Sequence, residues 1–142
     1  MYEVIIASIV AASITYELNN SRGWGPVAAS AAVALFFGVI FYVLGATGFV
    51  DGQLAETIPL AAMGASFAGM SSKKAVPNHM WIAVSGAIFS FVFLFSSPAF
   101  AGLGGGLGIT ACVSVVAARG MMMLLKAFRI KNRHTFSYVV VH

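Results

Sequence analysis

Residues 27–50 contain no charged side chain. At a rise of about 1.5 Å per residue, such a run makes a helix of about 36 Å, longer than the roughly 30 Å hydrocarbon core of a bilayer. Four more apolar runs cover residues 2–16, 57–70, 80–101 and 107–125, with Glu3 and Arg119 as their only charged residues. A soluble fold would have to cover all five with polar groups. Only 8% of the 142 residues are charged, against about 25% in soluble domains. Lipid is the solvent that fits this composition.

The fold class expected is therefore an all-α polytopic membrane bundle. Its helices are expected at about residues 2–17, 27–49, 57–71, 80–100 and 106–126, making one transmembrane domain over residues 1–128. A basic cytoplasmic tail is expected over residues 129–142. The first and third apolar runs reach only roughly 21–23 Å. A re-entrant third segment, leaving four crossings, is the alternative.

Charge placement separates the two. With five crossings and the N-terminus outside, Arg22, Lys73, Lys74, Arg119 and the tail cations Lys126, Arg129, Lys131 and Arg133 share the inner side. Glu3, Asp51 and Glu56 lie outside. This N-out, C-in arrangement satisfies the positive-inside rule. With four crossings, Lys73 and Lys74 share a side with Asp51, and the asymmetry is lost. The localisation expected is a bacterial-type inner (plasma) membrane with a cytoplasmic C-terminus. The net charge of +4 is then topological, and nucleic acid is not an expected partner. Trp24 and Trp81 fall where an interfacial aromatic belt would place them.

Short patterns that suggest other chemistry are better read as packing. Cys112 stands alone in an apolar run, so it has no intrachain disulfide partner. His79, His134 and His142 have no ligand-like spacing, and neither a metal nor a cofactor is expected. Met121, Met122 and Met123 are consecutive, so on a helix they point in different directions. Residues 135–141 alternate in a strand-like way, with no function attached.

Two features do carry functional expectations. Gly102, Gly104, Gly105, Gly106 and Gly108 cluster between the fourth and fifth runs, where a turn is needed. Interrupted helices of that kind can also expose backbone groups to a solute. Beyond them Gly106, Thr110, Ser114 and Ala118 repeat at i+4 along one face. Ala61, Ala65 and Gly69, with Ser66 beside them, form a similar face on the third segment. Ser8 with Ala12 and Thr15, and Ser30 with Ala34 and Gly38, do so on the first and second. Such faces let helices pack closely. Arg119 is the one charge well inside an apolar run, a position that calls for a snorkelling path, a partner or a role. Glu17 is the expected ion-pair partner.

No nucleophile, base and orienting group can be assembled, so no enzyme activity is expected. Carboxylates at mid-span, which proton-coupled carriers use as relays, are missing from the sequence. The first expectation is an oligomeric transporter or channel for an ion or small solute. Its path would be lined by Ser66, Gly69, Gly104, Gly105, Gly106, Thr110, Ser114 and Arg119. The second is a non-catalytic accessory or anchoring subunit of a larger membrane complex. A third, a lipid-acting enzyme, would need Glu17, Lys73, His79 and Arg119 to converge.

Overall fold

The computed structural model describes residues 1–95 and 105–139, with side chains described through Arg129. These residues form five helices and no strand: α1 (Tyr2–Asn20), α2 (Pro26–Ala46), α3 (Gly52–Gly69), α4 (His79–Phe95) and α5 (Gly106–Val139). Two of them, α2 and the Gly106–Arg129 part of α5, are long and apolar enough to cross a membrane. Helix α4 is apolar over its described 17 residues.

Helix ends differ from the apolar runs in an informative way. Helix α1 continues through Leu18, Asn19 and Asn20, and α3 begins five residues before its apolar run, at Gly52. Gln53, Leu54, Ala55 and Glu56 are good helix formers, so the polar stretch winds as readily as the apolar one. The Thr57 hydroxyl donates to the Gln53 carbonyl, 2.7 Å away. With 19 and 18 residues, the two helices reach about 27–29 Å. Flanking polar residues thus lengthen both helices beyond their apolar runs. The earlier start also puts Pro59 inside α3. It removes the N–H that the Ala55 carbonyl would accept, a local cause of bending.

Turns follow from local chemistry. Pro26 occupies the first turn of α2, where its missing N–H costs nothing. Helix α2 ends in a paired C-terminal motif. The Phe49 N–H donates to the Leu44 carbonyl and the Gly48 N–H to the Gly45 carbonyl, each at 3.1 Å. Gly48 has φ +72°, a backbone conformation that glycine adopts at least cost.

Helix α3 is the centre of the bundle, packing on α1, α2, α4 and α5. Helix α1 also lies against α4 and α2, and α5 lies against α4. The core mixes large side chains with many alanines. Ala11, Ala12, Ala61, Ala62 and Ala65 are fully buried alongside Ile82 and Phe89. Small residues substitute for bulk because the backbones come close. A Cβ on Gly69 would stand 2.5 Å from the Ala12 carbonyl oxygen, and one on Gly86 would stand 3.0 Å from that of Ser8. Dispersion between close backbones is the packing mode expected where lipid removes the hydrophobic drive between helices.

Charges separate along the bundle. Arg22, Lys73, Lys74 and Arg119 collect with His79 at the end formed by the α1–α2 and α3–α4 connections. Glu3, Asp51 and Glu56 lie at the opposite end, where α1 and α3 begin. Helix α5 has 34 residues, against 17 to 21 described residues in the others. It continues unbroken through Val139, so the strand-like alternation after Thr135 winds as helix up to that point. The segment read from sequence as a tail therefore belongs to α5 as far as Val139. Residues 96–104, which include the end expected for the fourth helix at residue 100, lie outside the described residues.

Candidate functional site

The most heavily hydrogen-bonded place in the bundle is its basic end, where helix α1 grips the α3–α4 connection. The Tyr16 hydroxyl donates to the Val76 carbonyl at 2.6 Å, a buried bond that spans 60 positions of sequence. Asn19 Nδ2 donates to the Met70 carbonyl at 3.1 Å, and Asn20 Nδ2 to the Ser71 carbonyl at 3.0 Å. The Lys73 backbone N–H returns a bond to Asn20 Oδ1 at 3.2 Å. Helix α5 closes the far side, with Arg119 Nη1 donating to the Ala75 carbonyl at 2.9 Å.

This corrects the expected Glu17–Arg119 pair. Glu17 Oε2 lies 3.1 Å from His79 Nε2 instead. The reason is helix order: α1 packs on α4, which opens with His79, while α5 packs on α4 and α3. Helix α4 thus brings its own base to Glu17. The Tyr16 ring meets the His79 ring edge-on, with centroids 5.0 Å apart and planes at 86°. Glu17 and His79 are each about half exposed, so the pair contributes little on its own. The four groups required by a lipid-acting enzyme do gather at this end. Glu17 and His79 bond each other and Arg119 bonds the backbone, so three of them hold structure together.

Of the residues expected to line a path, Ser66, Gly69, Gly106 and Ser114 are buried among the helices. Ser66 is fully buried. Its hydroxyl donates to the Met63 carbonyl at 2.6 Å, and it receives the Ser30 hydroxyl of α2, also at 2.6 Å. Gly69 abuts Ala12 and Thr15. Thr110 donates to the Gly106 carbonyl at 2.8 Å, and Ser114 to the Ala111 carbonyl at 2.7 Å. Gly106, Ser114 and Ala118 are buried and Thr110 is half-buried, so the i+4 stripe of α5 turns toward its neighbours in the bundle. Gly105 is an exposed turn residue. Gly104 and Gly102 lie outside the described residues.

Among the described residues, three buried hydroxyls have no hydrogen-bond partner: Ser8 and Thr15 on α1, and Ser85 on α4. Ser8 belongs to a face visible in the sequence, but Ser85 was not singled out by spacing. Trp81, expected in an interfacial belt, is largely buried, whereas Trp24 is half exposed. Asn19, Asn20 and Tyr16 were also missed. A polar cluster at a helix end is the signal that could have found them, since it must satisfy some backbone at the membrane edge.

Among the described residues, no group of three or more His, Cys, Asp or Glu side chains is placed to hold a metal. Comparison with known proteins finds no family model that matches the chain, and no curated protein or solved structure that matches it.

Proposed function

We propose that this chain is a five-span subunit of a bacterial-type inner membrane, N-terminus out and C-terminus in, whose role is non-catalytic anchoring of a larger membrane assembly. Helix α5 carries this reading. Arg119 fixes α5 to the basic end of the bundle. The residues that follow, up to Val139, add about 30 Å of helix. On that stretch Met123, Leu124, Leu125 and Phe128 are exposed. Met122 on this stretch still packs in the core, and the exposed apolar side chains after it, with Lys126 and Arg129 beside them, offer a partner something to dock on. The small-residue faces support the same reading, because Ser66, Gly69 and Arg119 bond or pack across elements of the bundle.

The five-span topology is supported by the separation of charges between the two ends and by the apolar outer surface. Leu35, Phe36, Tyr42, Phe91, Ile109 and Val116 are all exposed. Soluble proteins rarely present so much contiguous apolar area. In a Cys112→Ser background, Asp51→Cys should react with an impermeant maleimide in intact cells, and Lys73→Cys only after permeabilisation. Labelling of both from one side would remove the topology.

Purification in mild detergent tests the role. A stoichiometric heterologous partner is expected, and Leu125→Glu with Phe128→Glu should release it without unfolding the bundle. A homo-oligomer alone, or a partner indifferent to the double variant, would count against anchoring.

One observation favours transport as a second reading. The unpartnered hydroxyls of Ser8, Thr15 and Ser85 lie on α1 and α4, so a polar seam would run there and not along α3 and α5. Flux in reconstituted liposomes that falls with Ser85→Ala would support it.

A further inference from the structure

At the acidic end, α1, α2 and the start of α3 do not close on each other. They leave a groove of about 420 Å³. Its floor and walls are Ile6, Ala7 and Val10 of α1, Phe37 and Phe41 of α2, and Leu54 and Ile58 of α3. The two phenylalanine rings lie parallel, 6.3 Å apart and 3° from coplanar orientation, and form one continuous wall. The single carboxylate among the lining residues is Glu3, at the end of the groove beside Tyr2 and Val50. Asp51 follows Val50 in the chain and is exposed.

We infer that this groove binds one acyl chain of a membrane phospholipid whose headgroup carries an ammonium, as in phosphatidylethanolamine. The inference rests on the membrane reading above. Size favours a slender occupant. From Tyr2 to Val10 the groove is about 12 Å long, and its volume lies within the ~300–1,000 Å³ of small-molecule sites. Lining chemistry favours a hydrocarbon, since every wall residue is apolar.

Charge fixes the headgroup. Glu3 at the mouth and Asp51 beside it present carboxylates at the level where headgroups begin, a complement to an ammonium and a repellent to an anionic headgroup. The Met1 ammonium stands 3.8 Å from Glu3 Oε2. That contact is long enough to leave acceptor positions of the carboxylate open to a second ammonium.

The test uses the full chain reconstituted in vesicles containing phosphatidylethanolamine or phosphatidylglycerol with a photoreactive acyl chain. Cross-links are expected to concentrate on Ile6, Val10, Phe37 and Phe41, with phosphatidylethanolamine favoured at least five-fold. Val10→Trp and, independently, Ile6→Trp fill the groove from its rim and should each cut that labelling at least five-fold. Ile14→Trp, one turn further along α1 and outside the groove, should leave it unchanged. Glu3→Gln should bring the two lipids toward equal labelling. Cross-links spread evenly over α2 and α5, or labelling indifferent to both tryptophans, would overturn the site while leaving the membrane reading intact. A chain that fails to integrate into the vesicles at all would overturn the membrane reading, and the site with it.

Discussion

Replacing Gly69 with alanine is expected to destabilise the bundle by about 1–3 kcal/mol, the cost of an overpacked core position. Intrinsic helix propensity predicts the opposite, since alanine is better than glycine by about 1 kcal/mol inside a helix. The contest is decided by what the new methyl would meet. It would lie 2.5 Å from the Ala12 carbonyl oxygen and 2.6 Å from Thr15 Cβ. Neither is the end of a flexible side chain. Helix α1 must move away from α3, and the alanine contacts along that interface loosen together. Gly38→Ala on α2 is the matched control, because nothing lies within 4 Å of its added carbon. That variant should be neutral or gain stability. Tryptophan fluorescence during unfolding in detergent, through Trp24 and Trp81, reads both. Equal behaviour of the two variants would mean that α1 and α3 are not packed as described.

Tyr16→Phe is the second change with a large expected effect. It keeps the ring that meets His79 and deletes only the hydroxyl on the Val76 carbonyl. Val76 is 1% exposed, so its carbonyl is left buried without that donor, at a cost of about 1–3 kcal/mol. The loss falls on a connection that carries the exposed Lys73 and Lys74. Tryptic cleavage there follows the population of the opened loop. It should rise about five-fold or more. Unchanged cleavage, with the fold intact, would show that the asparagines and Arg119 hold the loop without the tyrosine.

Those two sites mark where the sequence is readable and where it is not. The five segments were legible because each is an apolar run, which the structure winds as a helix, with the cations of the breaks gathered at one end of the bundle. Helix ends were less legible. Asn19, Asn20 and the stretch from Gly52 to Glu56 are polar, and hydropathy stops at them although the backbone continues to wind. The small faces of Ser8, Ser66 and Ser114 were visible as periodic stripes, but periodicity does not say what a face meets. The structure turns them toward neighbouring helices. The grip of Tyr16 on Val76 was invisible because nothing local relates positions 60 apart. Glu17 was matched to Arg119 by charge alone, and helix order gave it to His79.

The length of α5 has a mechanical meaning. Met122 is the last side chain of α5 that the core buries among the described ones, and the helix runs on to Val139. With the helix held at Met122, a tilt of about 10° there would sweep the far tip through about 4 Å, given an arm of about 25 Å. Repacking too slight to open any gap between α3 and α5 would thus register as a displacement of side-chain size at the tip, on the side where the cations lie.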